Sequence, residues 1–175
     1  MTTSIPCRTR YDLFTRTLHW IIAVGIIYAS VVGYAMHYIS DPVYFKFFSE
    51  LNMSLATLVT LLMVIRFVWR FFRPAVPYGD KINRMAKGMI VLMHELFYLI
   101  IFAVLISGYL MLQHGYSLFW LIDIPQPFVN VEVNRFFFKV HRISCIALVA
   151  MLTLHVLAVI KHHLSDKNPV LSRML

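Results

Sequence analysis

Residues 139–163, KVHRISCIALVAMLTLHVLAVIKHH, decide the fold, because their centre is an apolar run long enough to cross a bilayer. His141 stands at the start of this run, His155 lies inside it, and His162 and His163 follow it. Ionisable side chains are costly in hydrocarbon, so imidazoles kept there indicate function. His141 and His155 are fourteen residues apart, close to four helical turns. They therefore share a helix face, about 21 Å apart along the axis.

The composition of the whole chain is that of a membrane protein. Of the 175 residues, 60% are hydrophobic and only 14% are charged, whereas soluble domains have about 25% charged residues. The net charge is +8, but the basic residues flank apolar segments, which indicates membrane orientation and not nucleic-acid binding. Cys7 and Cys145 are far apart and no C-x-x-C-H motif is present, so any haem would be bound noncovalently.

Four apolar segments predict an all-α fold, an integral membrane four-helix bundle that forms a single domain over residues 1–175. The expected spans are about 17–38, 50–71, 88–112 and 138–162. The aromatic connection that precedes the fourth span is expected to lie along the membrane interface.

The distribution of Lys and Arg predicts the orientation of the spans. Three lie before the first span, six lie in the 66–88 connection, and three lie from Lys161 onward. The two connections on the other side carry the remaining four. Because positive residues are enriched on the cytoplasmic side, we expect both termini in the cytoplasm.

This orientation gives each histidine a depth. His19, His94 and His155 are expected about 5–10 Å inside the cytoplasmic side, and His141 near the opposite side. Two imidazoles on one helix face, with a third across the bundle at the depth of one of them, are typical of axial haem ligands. The histidines therefore predict a haem protein.

Several segments also resemble a known family. They are TLHW (17–20), VIRFVWR (64–70), HELFYLIIFAVLISGYL (94–110) and the fourth-span histidine pair followed by KHH. Over nearly the whole chain they resemble bacterial cytochrome b561, and they are similar to the cytochrome subunits of formate dehydrogenase and nickel–iron hydrogenase. The resemblance implies a bundle in the bacterial inner membrane that holds haem b and exchanges electrons with ubiquinone.

The resemblance implies ligands for an inner haem, near the cytoplasmic side. Carried over position by position, it makes His19 and His155 the axial pair. His94 stands where the family has a histidine at the same depth, and a role beside the haem or in a quinone site is favoured over axial ligation.

The end of the fourth span supplies the other candidates for the quinone site, Lys161, His162 and His163. Two interpretations stay open for them. They either extend to the headgroups and help to orient the helix, or they form a proton-carrying pocket for a quinone beside the inner haem. Arg66, likewise, can pair with a haem propionate or with a lipid phosphate, as can the neighbouring Arg70 and Arg73.

For an outer haem, the resemblance implies His141 paired with a histidine at the start of span two, but this chain has Asn52 at that position. An amide is a poor haem ligand. Met53 would replace it if the helix start rotated by about a third of a turn, or His37 would reach in from span one. Otherwise the outer haem is missing, and we expect it to be changed or absent.

The predicted function is electron transfer through haem from a periplasmic-side donor, with superoxide as the candidate, to ubiquinone. The basic residues Arg135, Lys139 and Arg142 would attract such an anion. Whether the protein is an enzyme of the superoxide:ubiquinone oxidoreductase kind stays open. The alternatives are a haem-bearing anchor and electron conduit for a periplasmic redox partner, and a haem-free transporter or proton relay.

Overall fold

The computed structural model describes residues 10–73 and 84–165, together with residues 171 and 174. Four long helices run through these residues, and each is long and apolar enough to cross a membrane. They are α1 (Leu13–Ala35), α2 (Pro42–Trp69), α3 (Arg84–Leu110) and α4 (Val131–Ser165). The predicted all-α membrane bundle is thereby confirmed. Cys7, residues 74–83 of the 66–88 connection and most of the residues after 165 lie outside the described residues, and the orientation of the termini stays a prediction.

Aspartate side chains begin the first two helices. Asp12 accepts hydrogen bonds from the backbone N–H of Thr15 at 2.9 Å and from its hydroxyl at 2.7 Å. Asp41 accepts from the N–H groups of Val43 and Tyr44, at 2.8 and 3.3 Å, and Pro42 takes the first helical position. These bonds satisfy backbone donors that a helix start leaves unpaired.

The helices pack as two pairs, α1 with α2 and α3 with α4, and the pairs meet chiefly through α2 and α3. Gly25 lets α1 approach α2 closely, because a Cβ at this position would lie 2.6 Å from Cγ2 of Val59. The buried core is small and consists of Leu18, Ile22, Val59, Met63, Ile101 and Leu148. Most other apolar side chains of the helices are exposed, as expected where lipid forms the surroundings.

The starts of α1 and α3 and the ends of α2 and α4 form one end of the bundle, called here the His19 end. The opposite end, which contains the first turns of α2 and α4, is called the Asn52 end. A 3-10 turn over Met36–Tyr38 also lies there, after α1.

A β-hairpin in the α3–α4 connection is attached to the Asn52 end of α2. Its strands β1 (Tyr116–Leu118) and β2 (Ile122–Ile124) pair antiparallel. Phe119 and Trp120 have φ values of 48° and 60° in the turn, a conformation that aromatic residues rarely adopt. The Phe119 N–H donates to Oγ of Ser54 at 2.8 Å, and the ring of Trp120 stacks on that of Phe47 at 5.2 Å. These strands were not predicted from the sequence.

Candidate functional site

Three histidines lie together at the His19 end. His19, on α1, is within electrostatic range of both His155 and His94. His155, on α4, meets the edge of the Phe97 ring of α3 with the ring centroids 5.3 Å apart. His19 and His155 are half-buried, whereas His94 is exposed. The structure therefore brings together the three side chains that were predicted at one depth, and two of them are sheltered.

The other candidates for the quinone site have exposed positions. Nδ1 of His94 lies 2.6 Å from the carbonyl oxygen of Ile90, one turn earlier in α3. Lys161, His162 and His163 are exposed in the last turns of α4. These residues thus lie at the rim of the His19 end.

Arg66 is the most unusual cation at this end. It lies within electrostatic range of His19 and interacts with the side chain of Tyr98. Its Nη1 is buried and makes no hydrogen bond within residues 10–73 and 84–165. A buried cationic group with an unpaired donor is costly, so this atom is suited to an anionic group that enters from outside the protein.

The other two arginines of this segment have partners in the fold. Arg70 makes a two-pronged ion pair with Glu95 of α3, with Nη1–Oε2 and Nη2–Oε1 distances of 2.8 and 2.5 Å. Its guanidinium also lies about 5 Å from the ring of Tyr98. The guanidinium of Arg73 lies 4.7 Å from the ring centroid of Tyr11. From the sequence alone the three arginines were equivalent candidates, and the Arg70–Glu95 pair was not predicted.

At the Asn52 end, the two positions implied for an outer haem have different neighbours. Oδ1 of Asn52 is buried and finds no hydrogen-bond partner in the described part of the chain. Nδ2 of Asn52 lies 3.9 Å from where a Cβ on Gly33 of α1 would stand. His141 instead faces α3, where its Nδ1 lies 2.9 Å from the carbonyl oxygen of Val104. Asn52 thus lies toward α1 at Gly33, whereas His141 contacts α3.

The two substitutes considered for the outer ligand are also at this end. His37 is exposed in the 3-10 turn, and its Nδ1 lies 3.1 Å from the carbonyl oxygen of Tyr34. Met53 is half-buried and follows Asn52 in α2. Across residues 10–73 and 84–165, no three His, Cys, Asp or Glu side chains gather into a metal site. Haem iron requires only an axial pair from the protein, so a haem is compatible with this finding.

Residues 10–175 match the sequence profile of the family described as prokaryotic cytochrome b561. The chain belongs to this family. It is also similar to a protein of Escherichia coli (strain K12) named cytochrome b561 homolog 2, with 29% identity over 175 positions that cover 95% of this chain and 91% of that protein. The predicted family is confirmed. This b561 protein is a multi-pass membrane protein of the bacterial inner membrane and transfers electrons as a b-type cytochrome.

The side chains at the His19 end of this b561 protein fit a haem. Half-buried imidazoles from two different helices are available as the axial pair. Nη1 of Arg66, which is buried and unpaired in the described part of the chain, is available to one of the acidic groups that haem carries.

Proposed function

We propose that His19 and His155 bind the iron of haem b and that this cytochrome passes electrons between that haem and ubiquinone at the His19 end. The observation that carries the proposal is the placement of these two half-buried imidazoles at one end of α1 and α4, with His19 within electrostatic range of His155 and of Arg66, whose Nη1 is unpaired among the described residues. A bound haem supplies a one-electron centre, whose potential depends on its axial ligands, hydrogen bonds and burial.

The side chains around the axial pair have separate roles in this proposal. Phe97 packs edge-on against His155 and limits rotation of that ring. Leu18, which is buried and adjacent to His19, excludes water from the same region. Arg66 donates to a haem carboxylate and balances its charge. Together these contacts keep the haem oriented and dry.

Quinone reduction also requires protons, because a quinone takes up two electrons and two protons to become a quinol. His94, His162 and His163 are exposed near the same end, and an imidazole can donate or accept a hydrogen bond through its ring nitrogens. We assign them, with Lys161, to the quinone site, where they would hold a proton and orient the quinone oxygen. With both termini in the cytoplasm, this site lies on the cytoplasmic side of the membrane.

A difference spectrum of the purified protein, reduced minus oxidised, tests the proposal. We expect b-type bands, their loss in His155→Ala and in His19→Ala, and their retention in the control His37→Ala, because His37 is exposed and bonded to its own segment. Rapid mixing with a ubiquinol should reduce the haem. An absence of b-type bands, or a full low-spin spectrum in both ligand variants, would refute the assignment.

A second candidate adds a donor on the opposite face, with superoxide as the donor. It is favoured by Lys139 and Arg142, which are exposed on α4 near His141. Arg135 contributes less, because Glu132 pairs with it at 3.2 Å. Electrons from that face must reach the haem at His155, about 21 Å from His141 along α4. This candidate therefore requires a second redox centre, and a superoxide-to-ubiquinone assay that loses rate in a Lys139→Gln, Arg142→Gln double variant would support it.

A further inference from the structure

The side chains of the Asn52 end do not fit a second haem. Asn52 occupies the position of the missing ligand, and its amide oxygen is buried without a partner in the described residues. A neutral amide oxygen binds haem iron poorly compared with an imidazole nitrogen or a thioether sulfur. Among the described residues, no donor orients this side chain toward a ligand.

His141 already has hydrogen-bond partners at both ring nitrogens. Because a carbonyl oxygen only accepts, Nδ1 donates its hydrogen to Val104 of α3, at 2.9 Å. Nε2 then carries the lone pair, and Sγ of Cys145, one turn later in α4, lies 3.4 Å from it. The thiol is therefore hydrogen-bonded to the ring nitrogen that would have to bind iron.

The ring of His141 is also closely packed against α3. A Cβ on Gly108 would lie 3.1 Å from its Cε1 atom. His141 accordingly joins α3 to α4 with its hydrogen bonds already made. The α3–α4 pair is one of the two closely packed helix pairs of the bundle. Nothing in these contacts requires iron.

The hairpin prevents Met53 from taking the place of Asn52. Ser54, the residue that follows Met53, is fully buried, with 0% of its surface exposed. The Ser54 hydroxyl donates to the carbonyl of Glu50 at 2.7 Å and accepts from the Phe119 N–H at 2.8 Å. Oγ1 of Thr57, one turn later, lies 2.6 Å from the hydroxyl of Tyr116 in the same hairpin. A rotation of α2 that brought Met53 to the position of Asn52 would break both attachments to the hairpin.

We propose that this cytochrome carries a single haem, at the His19 end, and that His141 is a helix-packing residue. The inference rests on the proposed function, since it takes the haem of His19 and His155 as given. It confines the redox centre to one half of the membrane, so donor and acceptor both exchange electrons at the His19 end.

The test is the ratio of haem to protein, with haem measured as its pyridine complex and protein by amino-acid analysis. We expect one haem per chain, and a redox titration of membranes taken before detergent extraction should show one component. His141→Ala and Asn52→Ala should each keep the full haem content, whereas His155→Ala should lose it.

Three outcomes would overturn the single-haem inference and leave the proposed function standing. They are two haems per chain, a second component in the membrane redox titration, and a loss of haem that occurs in both His141→Ala and Asn52→Ala. If His141→Ala fails to fold, the haem content of Asn52→Ala and the membrane redox titration still show whether the chain holds one haem or two. A complete absence of haem would overturn the proposed function itself.

Discussion

Arg66 offers a quantitative test of how the protein holds its haem. Its Nη1 is buried and unpaired in the described structure, so a haem carboxylate that bonds to it gains a charge-assisted hydrogen bond without breaking a protein contact. Such bonds contribute about 1.5–3 kcal/mol. Since about 1.4 kcal/mol corresponds to a tenfold change in affinity, Arg66→Gln should weaken haem retention by roughly 10-fold to 100-fold.

Transfer of haem to a soluble acceptor protein, followed by absorbance, measures this retention. Arg73→Gln is the matched control, because Arg73 belongs to the same segment and carries the same charge but already lies over the ring of Tyr11. It should change the transfer rate by less than about threefold, because its guanidinium already has a partner in the fold and charge interactions near the surface contribute about 0–1 kcal/mol. Equal transfer rates for the two variants would show that net charge at this end, and not the unpaired Nη1 of Arg66, retains the haem.

Two further predictions concern the packing that positions the site. Ser54→Ala leaves a hairpin N–H without its acceptor, at a cost of about 1–3 kcal/mol, so amide exchange in the hairpin should accelerate roughly 10-fold to 100-fold. The control is Thr153→Ala, whose exposed side chain bonds to Val149 of the same helix, and it should leave that exchange unchanged. Unchanged slow exchange in Ser54→Ala would show that Ser54 does not hold the hairpin on α2. Gly25→Val should lower the melting temperature in detergent, because even a Cβ there meets Val59 at 2.6 Å and overpacking costs about 1–3 kcal/mol. Gly88→Val should leave it nearly unchanged, because in the described residues nothing beyond its own turn of α3 lies within 4 Å of the added Cβ, and an equal fall in both variants would argue against tight α1–α2 packing.

A single haem would change how this cytochrome is used. In a membrane protein with redox centres near both faces, electrons can enter on one side and leave on the other. With one centre at the His19 end, an outer-face donor is separated from the haem by about 21 Å of α4. The haem count therefore decides between the superoxide candidate and an exchange confined to one side of the membrane.

The four helices and the depth of the histidines were predictable from the sequence, because both depend on local properties. Hydropathy over about 20 residues identifies a span, and a rise of 1.5 Å per residue converts a residue number into a depth. For the same reason His19, His94 and His155 were expected at one level, and the structure brings them within electrostatic range of each other.

The partners of each side chain required the tertiary structure. Whether Arg66, Arg70 or Arg73 keeps an unpaired nitrogen depends on where α3 places Glu95 and Tyr98, and this depends on how the helices are rotated about their axes. The hairpin was equally hidden, because its strands are three residues long and its turn uses aromatic residues at positive φ, where glycine or asparagine would be the usual signal.

The sequence by itself determined that Asn52 stands where a ligand was implied, and it left three outcomes open for the outer haem. Only the tertiary structure supplied the contacts on which the single-haem proposal rests: His141 is bonded to α3 and Cys145, and Ser54 joins α2 to the hairpin. The physical reason is that a residue's identity limits which bonds it can make, whereas its bonding partners are set by neighbours that are distant in the chain.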